Sequence, residues 1–230
     1  MFHGTKPCGS PDQVSILADG TAAVPTDTHF GRSDLRGRVI HNLAAGRQVF
    51  TSNAFLVTGE RPVLVDPGNE FDAVAPVRDR VGEGLDAVVL THTHPDHVGN
   101  VPDVVDAFDV EVWGFDPDHD FVDHALDDGS TVALGDHRYE VCHTPGHKDD
   151  HVCLYAAEQG VLFAGDLVFA GGSFGRTDLE EGDRPTLVRS IERVIETVDA
   201  DLAELHTGHG PSVTDDPYSH VELALQAARR

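Results

Sequence analysis

Lysine is almost missing from this sequence: among 230 residues only Lys6 and Lys148 carry it. With 16 Lys and Arg against 40 Asp and Glu, the formal charge is −24. Binding to nucleic acid or to an anionic membrane surface depends on clustered cations that release counterions, so neither partner is expected. Cysteine is scarce as well. Cys8, Cys142 and Cys153 are odd in number and lie outside any Cys-x-x-Cys spacing, which argues against a disulfide framework or a zinc ribbon. They read as reduced thiols, with a Cys142–Cys153 contact between neighbouring strands as the alternative. No apolar run approaches the ~20 residues of a membrane span, and residues 1–7 lack the apolar core of a signal peptide, so a cytoplasmic location is expected. What replaces lysine is aspartate. At roughly 1 M salt the Debye length contracts to about 3 Å, so crowded carboxylates cease to repel one another. The charge is therefore read as an adaptation to a salt-accumulating cytoplasm.

No period of 20 to 50 residues and no low-complexity linker interrupts the chain, so residues 1–230 are expected to form one domain, with 1–45 left largely unassigned. From Gln48 the signals sharpen. An apolar, β-branched run reaches Val57, a turn follows at Gly59-Glu60-Arg61-Pro62, and a second strand covers 63–65. A helix is expected across 72–81 and a fully buried strand over 85–90. Asn100 is placed to cap a helix ending at Phe108, with Pro102 tolerated in its first turn. Further strands are expected at 110–114, 139–143, 152–157, 161–164 and 202–206. Helices are expected at 185–198, where Leu187, Val188, Ile191, Val194, Ile195 and Val198 recur at helical spacing, and at 221–230. Strands in two successive halves, each followed by helices, imply an α/β fold of two packed sheets with helices on the outside.

The chemistry concentrates at residues 91–100, Thr-His-Thr-His-Pro-Asp-His-Val-Gly-Asn, directly after a buried strand. Residues two apart in an extended stretch share a face, so His92 and His94 can converge on one ion while Asp96 and His97 turn toward another. His147 follows the turn Thr144-Pro145-Gly146, Asp166 follows Gly165, and His209 sits between Gly208 and Gly210. Each of these three, taken alone, reads as an ordinary turn residue. Their order carries the signal.

That order, His-x-His-x-Asp-His, then His, then Asp, then His, resembles the metallo-β-lactamase superfamily over roughly residues 49–211. The resemblance implies an αββα sandwich of two mixed sheets with helices on the outer faces. It implies two divalent metal ions, zinc by preference and iron or a zinc/iron pair as the alternative. His92, His94 and His147 would bind the first, Asp96, His97 and His209 the second, and Asp166 would bridge them. A metal-bridging hydroxide would then attack the substrate carbonyl, with Asp96 and Asp166 as the catalytic carboxylates.

Within the superfamily, Gly165-Asp166-Leu167-Val168-Phe169 followed by Gly175-Arg176-Thr177-Asp178 and Gly182-Asp183 is similar to the glyoxalase II (hydroxyacylglutathione hydrolase) group. A thioester is the substrate this implies. Arg176 is read as pairing with Asp178 rather than meeting substrate. Lys148, with Asp149, Asp150 and His151, stands where that group often has Thr, and is read as a solvated loop charge before an anion contact. His143 and His151 are expected near the site but not as ligands. The full-length form of the group adds a C-terminal helical extension with glutathione contacts. Only 20 residues follow Gly210 here, so a glutathione thioester is not the first expectation. The rival activities are a persulfide dioxygenase, using one iron on His92, His147 and Asp166, and a lactonase with the same seven ligands. A β-lactamase, an RNA phosphodiesterase and a metal-free module rank lower.

Overall fold

In the structure, a computed structural model, residues 40–198 and 200–230 are described. Lys6, Cys8 and most of the unassigned N-terminal stretch fall outside them. Two mixed sheets form the centre. The first contains β1 (Ile40–Asn42), β2 (Phe55–Val57), β3 (Val63–Val65), β4 (Ala87–Val89), β5 (Glu111–Gly114) and β6 (His124–Ala125), in that spatial order. Its pairs are antiparallel through β3 and parallel thereafter. The second contains β7 (Thr131–Leu134), β8 (His137–His143), β9 (Val152–Ala156), β10 (Val161–Gly165) and β11 (Glu204–Thr207), ordered β11-β10-β9-β8-β7. Only β10 and β11 run parallel there.

Apolar residues on both faces of the central strands build three cores. Val63, Val65, Ala87 and Val89 face Tyr139, Val141, Leu154 and Phe163 between the sheets. Leu64 and Val88, one residue out of phase, face the opposite way against Val77, Val104 and Phe108. Those three side chains belong to α1 (Val74–Val81) and α3 (Val101–Phe108). Likewise Leu162 and Ala164 turn outward to Leu187, Ile191, Ala224 and Leu225, carried by α4 (Arg184–Thr197) and α5 (Pro217–Ala228). The period of two along each strand thus serves two cores at once. The result is the expected αββα sandwich.

Four details differ from the sequence reading. The run 48–57 is strand only at its end, because residues 48–52 leave the sheet as a loop. Residues 95–98 form a short helical turn, α2 (Pro95–Val98), where an extended segment was expected, since Pro95 supplies a fixed φ for a first helical position. Asn100 precedes α3 but does not cap it with its side chain. Its amide donates to Pro67 O at 3.1 Å, tying α3 to the loop after β3. Lastly, α5 begins four residues before Val221, and β1, β6 and β7 carried too few residues to announce themselves.

Cys142 and Cys153 are register partners on β8 and β9, both free and both buried. Burial pushes their thiols up to about 11 and about 12, so they are inert core residues. No helix among the described residues is long and apolar enough to cross a membrane.

Candidate metal centre

All seven expected ligands lie where strands end along one edge of the sandwich. His92 and His94 follow β4, Asp96 and His97 sit on α2, and His147, Asp166 and His209 follow β8, β10 and β11. The structure brings their donor atoms together in three overlapping groups. These are His92, His94 and His147; His92, His97 and Asp166; and Asp96, His97 and His209, each within 4.8 Å.

His94 Nδ1 lies 3.1 Å from His92 Nε2 and 2.9 Å from His147 Nε2. Asp166 joins the halves: its Oδ2 is 3.4 Å from both His147 Nε2 and His209 Nε2, and its Oδ1 is 3.4 Å from His97 Nε2. A tetrahedral ion at the usual zinc–nitrogen distance of about 2.0–2.1 Å spaces its ligands by roughly 3.3 Å, close to these separations. The donor set therefore fits a pair of divalent cations.

What aims the rings inward is a set of hydrogen bonds on their far sides. Asp66, at the end of β3, accepts from Thr91 N at 2.8 Å, Thr91 Oγ1 at 2.7 Å and His97 Nδ1 at 2.9 Å. With its own proton given to Asp66, Thr91 Oγ1 accepts from His92 Nδ1 at 3.1 Å. His147 Nδ1 donates to Arg176 O at 2.8 Å. Each bond puts the proton on Nδ1 and leaves the Nε2 lone pair facing the centre, which fixes the tautomer a metal ligand needs. Within the cluster two buried atoms, His97 Nε2 and Asp166 Oδ1, make no hydrogen bond and face each other at 3.4 Å. Orphaned buried polar atoms are rare, and a cation between them would satisfy both.

The electrostatics divide the site. Burial, reinforced by neighbouring histidines, holds His92 well below its ordinary value and His94 at about 4, and lowers His147. These three rings are neutral and ready to coordinate at pH 7. For His97 and His209 burial pulls the same way but is outweighed. Asp66 and Asp166 lift His97 well above its ordinary value, and hydrogen bonds to Asp166 and Asp96 lift His209 to about 9. In return His97 and His209 keep Asp166 and Asp96 ionised despite burial. Protons on this side occupy the place of a cation.

Asp66 was not among the residues expected at the site, and His151 was expected beside it or on the surface, not as a ligand. Asp66 stands at a strand end before Pro67-Gly68, a position shared with countless turns. Fully buried His151 receives Asp166 N–H on Nε2 at 3.0 Å and contacts Thr144 Oγ1 through Nδ1 at 2.8 Å, so it fixes the backbone that carries Asp166. Gly208 is required by packing: a Cβ there would overlap Asp166 Oδ1 and lie 2.9 Å from His97 Cε1.

Arg176 pairs with Asp178 at 2.9 and 3.0 Å, on an exposed loop. Lys148 corrects the expectation of a solvated charge. Its side chain is 11% exposed and packs against Asp149, Asp150 and Glu181, because those carboxylates supply what water would otherwise give. The link to Glu181 fastens the loop carrying Arg176 beside His147. His143 stacks on Phe115 and donates to Asp149 O, away from the cluster.

With this geometry in hand, the profile described as "Metallo-beta-lactamase superfamily" matches residues 47–215. The "Hydroxyacylglutathione hydrolase GloC" of Haemophilus influenzae is 29% identical over 189 residues, covering 72% of this chain and 88% of that one. The crystal structure of the B3 metallo-beta-lactamase BLEG-1 is 30% identical with a TM-score of 0.64, covering 76% and 94% of the two chains. That of TTHA1623 in a di-iron-bound form is 32% identical with a TM-score of 0.63, covering 82% and 96%.

Proposed function

Since the chain belongs to the metallo-β-lactamase superfamily, we propose that it is a metal-dependent hydrolase of thioesters, of glyoxalase II type. Its two divalent ions would be held on His92, His94 and His147, on Asp96, His97 and His209, and on Asp166 between them. The observation that carries this reading is the convergence of seven donors from four strand ends with two orphaned buried atoms, His97 Nε2 and Asp166 Oδ1, facing each other. Bound ions supply Lewis acidity and bring water close to ionisation at neutral pH.

The chain's own residues do the rest. Asp96 Oδ2 accepts from His209 Nε2 at 3.0 Å and is poised to orient the attacking water and take up its proton. Asp166 spans both donor sets, so its carboxylate sets their separation. Zinc is the metal we favour, with iron as the alternative given a di-iron relative at 32% identity. The Haemophilus relative is named for hydroxyacylglutathione, and the chain covers 88% of it. S-lactoylglutathione is therefore a substrate to test. We propose likewise that the whole chain is one domain, supported by the interior that both sheets share.

A persulfide dioxygenase would need only one iron. The inward orientation of His94 and His209 weighs against it, because a single facial triad leaves both without a task. The experiment is to determine bound metals by mass spectrometry and, on the same preparation, to assay S-lactoylglutathione and β-lactam hydrolysis beside oxygen uptake with glutathione persulfide. Two metals per chain with thioester cleavage is the expected result. One iron with persulfide-dependent oxygen uptake would overturn it.

A further inference from the structure

A cavity of about 410 Å³ opens beside His209, between the loop joining β1 to β2 and the segment Gly210-Pro211. In a chain with 40 acidic residues, none of the described residues lining it is acidic. Its polar lining is Asn42, Thr51, Ser52, Asn53 and the ring of His209, and Arg47 adds a permanent cation. The exposed side chains of Val49 and Phe50 stand on the same loop.

Arg47 is held for binding. A turn closed by its N–H to Ala44 O at 3.0 Å, with Gly46 at φ +76°, places the residue. Its guanidinium lies over the Phe71 ring, 4.8 Å from the centroid. Stacking occupies the face of the guanidinium and leaves the N–H donors at its edge free. No described residue accepts a hydrogen bond from that edge or pairs with its charge, whereas Arg78, Arg176, Arg193 and Arg229 each pair with a carboxylate. A planar donor fork without a partner among the described residues, in a cavity whose described lining holds no carboxylate, suits a carboxylate ligand received bidentately.

We propose that this cavity is the substrate subsite and that Arg47 selects thioesters bearing a carboxylate some atoms away from the reacting carbonyl. The inference rests on the hydrolase reading above and adds the substrate's charge to it. The carboxylate can sit on the acyl or on the thiol side of the thioester, and three probes separate these. They are acetyl-N-acetylcysteamine, which is neutral; succinyl-N-acetylcysteamine, with an acyl carboxylate; and the acetyl thioester of 3-mercaptopropionate, with a thiol carboxylate.

The metal-loaded protein should show a kcat/KM at least about tenfold higher for one of the two anionic probes than for the neutral one, the worth of one charge-assisted bidentate contact. Arg47→Met should collapse that ratio toward one through KM, with bound metal unchanged, and Arg47→Lys should keep part of it. Equal rates for all three probes, or a ratio that survives Arg47→Met, overturn the proposal while leaving the hydrolase reading intact.

A readout without turnover keeps the two readings apart. Phenylglyoxal modification of Arg47, followed by peptide mass, should slow severalfold with 3-mercaptopropionate or succinate present but not with N-acetylcysteamine. Protection without cleavage of any probe supports the anion subsite and refutes the thioesterase. Absence of protection overturns the subsite.

Discussion

Asp66 illustrates how a side chain that touches no proposed ion can govern the centre. Its carboxylate accepts three hydrogen bonds, one of them from His97 Nδ1, and so determines which nitrogen of His97 faces Asp166. Asp66→Asn removes the charge that favours this tautomer. Metal affinity should fall about 10- to 100-fold in a chelator competition, with secondary structure by circular dichroism retained. Unchanged affinity would show that packing alone orients the ring. The divided electrostatics give a second expectation. In chelator-stripped protein at pH 7, His209 with a value of about 9 carries a proton, whereas His94 at about 4 does not. A raised value means the proton is held until pH passes it. Binding zinc at pH 7 should therefore release the proton of His209, and that contribution should fall to half near pH 9. Calorimetry in buffers of different ionisation enthalpy measures this directly. Zero release at pH 7 would contradict the assigned protonation.

Helix α4 links stability to the site. Asp183 caps it, accepting from Thr186 N at 2.8 Å, and Pro185 supplies a preset first turn. Its N-terminal end rests on the His147 turn. Asp183 N donates to Gly146 O at 2.8 Å, and Ser190 Oγ donates to Pro145 O at 2.6 Å. Leu187, Ile191 and Val194 form the buried stripe that presses it onto the second sheet. Ile191→Ala should cost about 2–5 kcal/mol in denaturant unfolding, the usual price for a fully buried aliphatic side chain. Ile191 belongs to the core between α4, α5 and the second sheet, which contains none of the seven candidate ligands, so the metal content of the folded fraction should stay the same. Strands β1, β6 and β7, of two to four residues, show the limit of pattern reading at this scale. Too few residues alternate for a period of two to be recognised, and only pairing with a longer neighbour makes them strands.

For the molecule as a whole, the charge of −24 on 230 residues is the dominant electrostatic fact. Acidic groups exceed basic ones by more than two to one, so in dilute buffer the folded chain repels itself. We expect the unfolding midpoint to rise as KCl goes from about 0.1 M to above 1 M, as the Debye length falls from about 10 Å to about 3 Å. Full stability in dilute buffer would remove the halophilic reading. The same long-range repulsion makes a cavity with no acidic residue in its described lining conspicuous beside the candidate ligand cluster, and the proposed anionic substrate would need a local cation to dwell there.

The amino-acid sequence by itself determined the seven candidate ligands, the two-sheet class and most longer elements. Some of those signals are local, namely a dense His-Asp run after an apolar strand, helical apolar spacing over 185–198, and apolar runs in the central strands, whereas His147, Asp166 and His209 stood out only by their order along the chain. Tertiary structure alone decided how the ligands are aimed. Asp66 sits 31 residues before His97 and nothing in its neighbours marks it, while His151, 15 residues before Asp166, was expected near the site but not in the part it plays, accepting Asp166 N–H. It also decided that Lys148 is sheltered among carboxylates, that Asn100 bonds Pro67 in place of its helix, and that Arg47 overlooks a cavity at His209. A side chain's partners and its exposure depend on which distant segments the sheets bring to one edge, and sequence spacing does not encode that distance.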